Sequence, residues 1–139
     1  MSNSPEARVA TVKMIEESQS QGLVREIYND IKQTKNIDFV PNFWKTLATH
    51  PPLLEQTWLR LKSAMAPGKL DPLTKEMIAL AVSATNGCRY CINSHTAAVK
   101  KLGLDDEGLG ELFAVVAVFN GTNSLADGYQ IEPDVLPPQ

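Results

Sequence analysis

Two cysteines and a histidine are the residues in this sequence best suited to chemistry. Cys88 and Cys91 are three positions apart, and His95 follows Cys91 by four. On an α-helix these spacings place all three side chains on one face. The thiolate is the reactive form of cysteine, and an adjacent histidine can accept the thiol proton. The pattern predicts a redox-active dithiol that can close to a disulfide.

Glu76 extends this group. It precedes Cys88 by twelve positions and lies among apolar neighbours, where a buried carboxylate needs a partner. If the chain forms an antiparallel helical hairpin about Asn86-Gly87, Glu76 and His95 lie at similar heights, since each helical residue rises ~1.5 Å. The carboxylate would then orient and charge the imidazole. The sequence thus predicts a relay from glutamate to histidine to cysteine.

The residues alone do not decide which cysteine attacks first, and they leave two non-catalytic roles open for the cysteines. A helix amino terminus favours Cys88 as the attacking sulfur, whereas His95 favours Cys91. Free cysteines are often small buried hydrophobic residues. A structural zinc site needs four ligands, and only the distant His50 or an acidic residue remains to complete one. The sequence therefore predicts neither a metal nor an organic cofactor.

Hydrophobic periodicity and helix-breaking residues predict an all-α fold. No convincing alternating run bounded by turn signals occurs, and the segment 115–119 is the one ambiguous stretch. Six helices are predicted, with a helical hairpin that contains the CxxC motif: 21–34, 41 to about 50, 51–65, 71–86, 88 to about 102, and one from 105 whose end is not defined.

The length of 139 residues fits a single domain. Residues 1–20 form a polar arm, either mobile or extended along another surface, and residues 21–130 form the helical domain. Residues 131–139 contain three prolines and are predicted to be an irregular tail.

Composition narrows the range of partners and locations. The net charge of -3 and the apolar fraction of 43% describe a globular chain without attraction to nucleic acid or anionic membranes. The first residues do not resemble a secretory signal, and no uninterrupted apolar stretch reaches the ~18 residues of a membrane span. A cytoplasmic location is expected, where a lasting structural disulfide is uncommon.

Glu76, the run Cys88-Arg89-Tyr90-Cys91 and His95 resemble, in order and spacing, the signature of the carboxymuconolactone decarboxylase superfamily in its AhpD-like alkylhydroperoxidase branch. The resemblance covers most of residues 20–130. It includes further short segments similar to peroxidase-related members: Val40-Pro41-Asn42-Phe43, His50-Pro51, Phe119-Asn120 and Ala126-Asp127-Gly128.

The resemblance implies an all-helical protomer that assembles into trimers or hexamers and acts as a peroxiredoxin-type oxidoreductase. A thiol or dihydrolipoyl-type donor would return the dithiol to its reduced state. Cys91 would attack the hydroperoxide and pass through a sulfenic acid, and Cys88 would be the resolving thiol and proton donor. Glu76 and His95 would form the proton relay.

The sequence departs from this pattern at Tyr90, where the best-known AhpD-like enzymes have a second histidine. A tyrosine hydroxyl titrates near pH ~10, so the relay would depend on His95 and water. Two alternatives remain. One is the lactone decarboxylase activity that names the superfamily, which does not need a dithiol. The other is a non-catalytic oligomeric redox sensor.

Overall fold

The computed structural model describes residues 10–139, and within that range the fold is all-α, as predicted. The helices are connected by short turns, and these residues contain no β-strand. The ambiguous segment 115–119 is helical. A short 3-10 turn, Glu17–Gln19, precedes six α-helices: α1 Gly22–Lys35, α2 Asn42–Leu47, α3 Pro51–Met65, α4 Pro72–Asn86, α5 Arg89–Lys101 and α6 Asp106–Gly128.

The helix boundaries follow the signals in the sequence. Pro51 opens α3, and Asp71 caps α4 by accepting the backbone N–H of Thr74 at 2.9 Å. The second helix is shorter than predicted because it ends at Leu47, before His50. The end of α6, which the sequence left undefined, is Gly128.

The chain divides into two compact units between Ala66 and Pro67. The first contains α1, α2 and α3, and the second contains α4, α5 and α6. The predicted arm, helical domain and tail remain predictions. Residues 1–9 of the arm lie outside the described residues, and residues 131–139 have no regular secondary structure.

In the first unit, the segment before α1 lies against α1 and α2. The Ile15 backbone N–H donates to the carbonyl of Lys45 at 3.1 Å, and the Tyr28 hydroxyl donates to the carbonyl of Ile15 at 2.7 Å. The Glu17 carboxylate accepts from Lys32 at 2.7 Å and from the backbone N–H of Val40 at 3.1 Å. Ile15 and Glu17 are therefore held by hydrogen bonds to other residues of the first unit.

Tyr28 gives this unit a specific response to alkali. Its side chain is buried, and burial, followed by the charges of Glu16 and Glu17, raises the pKa of its hydroxyl to about 12. An unfolded tyrosine titrates near ~10, so between pH 10 and 12 the unfolded state loses the proton first. The free energy of unfolding should therefore fall across this range, and it should fall less steeply in Tyr28→Phe.

Urea unfolding at several pH values from 9 to 12 measures this slope. Tyr129→Phe is the matched control, because Tyr129 is 78% exposed. Lysines titrate in the same range in every variant, so the difference in slope is the relevant quantity. Equal slopes for wild type and Tyr28→Phe would contradict the assignment.

The core of the second unit contains one fully or almost fully buried side chain from each helix. Leu80 of α4, Val99 of α5 and Leu112 of α6 form its centre. Partly buried apolar side chains surround them: Leu73, Met77, Ile92, Leu104, Leu109, Phe113 and Val116. This packing fixes α4 against α5. The two helices contain Glu76, Cys91 and His95, and Cys88 lies in the turn that joins them.

Much of α6 is apolar and exposed. Its exposed side chains include Val115, Val118, Phe119 and Leu125, which we call the α6 apolar surface. Among residues 10–139, α6 is also the single helix that is long and apolar enough to cross a membrane. One helix that passes a test of length and composition is weak evidence for a membrane span.

Candidate active site

The connection between α4 and α5 determines where the cysteines lie. Gly87 ends α4 in the left-handed conformation, with φ 69°, which glycine adopts without the steric cost of a side chain. The backbone N–H of Cys88 then donates to the carbonyl of Ser83 at 3.0 Å. The chain reverses at these two residues, and Arg89 begins α5. The predicted helical hairpin is confirmed.

Cys88 and Cys91 form a disulfide at the amino end of α5, with an S–S distance of 2.07 Å. Cys88 is the N-cap residue of the helix, and its sulfur accepts the backbone N–H of Cys91 at 3.3 Å. Both residues are partly exposed. The sulfurs therefore have the proximity that a dithiol-disulfide cycle requires, and a reactant from solvent can approach them.

Glu76 and His95 form a hydrogen-bonded pair across the same hairpin. The Oε2 atom of Glu76 lies 2.7 Å from Nδ1 of His95. The two side chains are only 17% and 26% exposed, so the carboxylate has the partner that its burial demands. The bond occupies Nδ1 and leaves Nε2 as the ring nitrogen that can exchange a proton with a reacting group.

The structure thus joins the four predicted residues in two pairs. The disulfide joins Cys88 to Cys91, and the hydrogen bond joins Glu76 to His95. A single turn of α5 connects the two pairs, because Cys91 and His95 are four positions apart and lie on one face of this helix. The chemistry available to this arrangement is thiol exchange next to an imidazole that a carboxylate orients.

Two contacts at the hairpin were not predicted from the sequence. The buried Ser83 donates its hydroxyl to the carbonyl of Ala79 at 2.7 Å. Asn120 of α6 donates to the hydroxyl of Thr85 at 3.3 Å, three residues before Cys88. Two sequence signals pointed to Asn120, its place in an apolar stripe and the resemblance of Phe119-Asn120 to peroxidase-related members, but neither identified its partner. These bonds stabilise the end of α4 from which the cysteines follow.

The described residues offer no donor set for a metal. Within 10–139, no group of three or more histidine, cysteine, aspartate or glutamate side chains is arranged to hold an ion. His50 lies in the first unit and is exposed. The zinc interpretation of the cysteines therefore has no ligand cluster to support it.

Comparison with known proteins places this chain among the relatives of one family. The model of the carboxymuconolactone decarboxylase family matches residues 52–131. The chain is 29% identical to an alkyl hydroperoxide reductase AhpD of Streptomyces coelicolor, over 84% of this chain and 67% of the relative. It is 35% identical to the AhpD of Streptomyces avermitilis, over 50% of this chain and 38% of the relative.

Another relative has a different name. An (R)-2-haloacid dehalogenase of Pseudomonas putida is 27% identical over 76% of this chain and 35% of its own length. The chain therefore spans between about one third and two thirds of these three relatives.

Among solved structures, the alkylhydroperoxidase AhpD core from Rhodospirillum rubrum is similar throughout. The two structures have a TM-score of 0.86 and 40% sequence identity. The similarity covers 91% of this chain and 96% of the other. The helical architecture described above is thus that of an AhpD core.

Proposed function

The chain belongs to the carboxymuconolactone decarboxylase family, and we propose that it is a thiol-dependent peroxidase of the alkylhydroperoxidase type. One observation supports this most directly. The Cys88–Cys91 disulfide lies at the amino end of α5, one turn from a histidine that a carboxylate orients. The AhpD names of two relatives and of the similar core structure agree with it.

In the proposed oxidative half-reaction, His95 accepts the proton of Cys91, and the Cys91 thiolate attacks the terminal oxygen of a hydroperoxide. The O–O bond breaks, the alcohol leaves with a proton, and Cys91 becomes a sulfenic acid. The sulfur of Cys88 then attacks that of Cys91, and the hydroxyl leaves as water. The product is the disulfide seen here.

Glu76 acts through His95. Its hydrogen bond to Nδ1 fixes the ring orientation and stabilises the imidazolium that forms when Nε2 takes a proton. Tyr90 is half-exposed beside Cys91, at the position where the best-known AhpD-like enzymes have a histidine. We propose that water supplies the second proton transfer there.

A thiol or dihydrolipoyl-type donor completes the proposed cycle, with no organic cofactor or metal. We further propose that the protein is cytoplasmic, binds neither nucleic acid nor membranes, and forms a trimer or hexamer. Self-association would cover the α6 apolar surface, whose side chains are each more than half exposed. Light scattering after size-exclusion chromatography measures the mass, and a monomer would contradict this assembly.

Stoichiometric oxidation of the reduced protein tests the proposed function. One equivalent of cumene hydroperoxide should remove two thiols, form one intramolecular disulfide and release one equivalent of alcohol. Thiol titration and mass spectrometry measure the first two quantities, and chromatography measures the third. If the thiols survive excess peroxide, the peroxidase proposal is wrong, and lactone decarboxylation or redox-independent binding becomes the better hypothesis.

A further inference from the structure

Arg89 is the charged residue next to the disulfide. It lies between Cys88 and Cys91 in the sequence, begins α5 and is exposed. Among the residues that the structure describes, none forms an ion pair with Arg89. Its charge is therefore available to a molecule that approaches the two sulfurs from solvent.

The acids of α4 and α5 do not neutralise this charge. Glu76 is the one acid of α4, and it is already hydrogen-bonded to His95 at 2.7 Å. The residues of α5, from Arg89 to Lys101, include no aspartate or glutamate. The helical hairpin thus offers no second carboxylate that could pair with Arg89.

The acids of α6 are distant along the helix axis. Leu112 packs with Leu80 in the core, and Asn120 donates to Thr85 near the end of α4. The two helices therefore run in the same direction. The nearest acids along α6 are nine positions before Asn120 and seven after it, which at ~1.5 Å per residue is at least about 10 Å along the axis. Salt of about 0.1 M screens exposed charges over that distance. These acids are Glu111 and Asp127, and Glu132 and Asp134 come later in the chain.

The other acids of the second unit lie away from the disulfide. Because α4 and α5 are antiparallel, the start of α4 and the end of α5 are at the opposite end of the hairpin from the turn that contains the cysteines. Four acids lie there: Asp71, Asp105, Asp106 and Glu107. The turn therefore carries a positive charge, although the chain as a whole has a net charge of -3.

We propose that Arg89 selects the donor that reduces the disulfide, and that this donor is a small dithiol with a negatively charged group. Attraction between opposite charges raises the rate at which the two molecules meet. A single cation without a basic neighbour in its own helical turn fits one small anionic group better than the extended acidic surface of a protein. This inference rests on the proposed peroxidase cycle, in which a thiol donor restores the dithiol.

Arg89 is close enough to act on a donor at either sulfur. Consecutive Cα atoms are about 3.8 Å apart, and Arg89 is one position from Cys88 and two from Cys91. Its side chain is long, and its planar guanidinium can bind a carboxylate through two parallel hydrogen bonds. The position and the chemistry of Arg89 are therefore those of a specificity-determining residue.

The charged group of the donor takes no part in the electron transfer. One donor thiolate attacks a sulfur of the disulfide, the S–S bond breaks, and the other cysteine leaves as a thiolate that takes a proton. The second donor thiolate attacks the donor sulfur of this mixed disulfide and releases the remaining cysteine. The donor becomes a cyclic disulfide, and its two electrons and two protons pass to Cys88 and Cys91.

Dihydrolipoate and dihydrolipoamide are a matched pair of donors for the test. They have the same dithiol, and one ends in a carboxylate where the other ends in a neutral amide. The oxidised protein is mixed with each donor and quenched at set times with excess N-ethylmaleimide, and mass spectrometry measures the fraction that carries two maleimides. Each rate constant is divided by the rate constant for the same donor with 2-hydroxyethyl disulfide, which is uncharged.

The wild-type protein should prefer dihydrolipoate by about two- to fivefold at low ionic strength. The preference should disappear at about 1 M salt, where an exposed charge acts over about 3 Å. Arg89→Gln should remove the preference, Arg89→Lys should keep it, and Arg89→Glu should reverse it. Lys101→Gln, which removes a positive charge at the other end of α5, should leave the preference unchanged.

The ratio between the two donors separates selection from a general change in the disulfide. A purely structural role of Arg89 would alter both rates by the same factor and leave their ratio intact. An equal ratio in wild type and Arg89→Gln, a preference that persists at about 1 M salt, or no reduction by either donor would overturn the inference.

Peroxide is absent from this experiment, so its outcome is independent of the test of peroxidase activity. If the reduced protein consumes no peroxide but Arg89→Gln removes the preference, the proposed function is wrong and the selection of anionic donors stands. If peroxide is consumed and the ratio does not respond to Arg89, only the selection is wrong.

Discussion

Replacing Cys91 with serine should abolish peroxide consumption, with the rate falling at least about a thousandfold. A serine hydroxyl cannot attack the peroxide as a thiolate does, and it cannot form a disulfide with Cys88. The Cys88–Cys91 bond shows that the two sulfurs meet at the turn of the hairpin. Steady-state loss of cumene hydroperoxide, with dithiothreitol as the donor, measures the effect.

Cys88→Ser is the matched control, since it removes the other sulfur from the same hairpin. It should still react with one equivalent of peroxide and leave a sulfenic acid on Cys91, which dimedone traps and mass spectrometry locates. Turnover should then stop because no resolving thiol remains. If Cys91→Ser retains the single reaction and Cys88→Ser loses it, the roles of the two cysteines are reversed.

Breaking the Glu76–His95 pair should have the second largest effect. Because the 2.7 Å bond at Nδ1 orients the ring, His95→Gln removes the base, whereas Glu76→Gln replaces the carboxylate that orients and charges the ring with a neutral amide. General acid-base catalysis contributes about 10²- to 10⁴-fold, so kcat/KM for His95→Gln should fall within that range. The fall for Glu76→Gln should be smaller, and the double variant should be no slower than His95→Gln alone.

Two controls separate this prediction from a general loss of stability. His50→Gln changes the other histidine, which is exposed and belongs to the first unit, and Glu111→Gln changes an exposed acid on α6. Both should retain wild-type kcat/KM. The apparent pKa of the Cys91 thiol should rise in His95→Gln, as measured by the pH dependence of its alkylation. Independent, multiplicative losses from Glu76→Gln and His95→Gln would contradict a relay.

The sequence predicted most helices well because their ends coincide with residues of restricted geometry. Pro51 suits the first turn of a helix but not its interior, Asp71 with Pro72 favours a start, and Gly87 favours a left-handed end. The extent of α6 was less predictable because Asn120 and Gly121 suggest a break. They lie within a helix that continues to Gly128, since a single glycine weakens a helix without necessarily ending it.

The pairing of Glu76 with His95 was predictable because two residues alone separate α4 from α5, and the rise per residue then fixes their heights. The bond between Asn120 and Thr85 was not, because it depends on how α6 packs against α4. The acceptor role of the Cys88 sulfur was likewise not predicted, although its place at a helix start was. That role depends on the backbone geometry at Cys88, the N-cap residue, which the sequence does not specify.

The short spacing of the two cysteines also limits how much the redox state of the pair changes the stability of the fold. A disulfide stabilises a protein mainly by restricting its unfolded chain, and this effect grows with the length of the loop that it closes. The loop here has a sequence separation of three and lies at the start of a helix that its own backbone bonds and the packing of Val99 hold together. Opening and closing this bond therefore changes the conformational entropy of the unfolded chain less than opening and closing a disulfide across a long loop would.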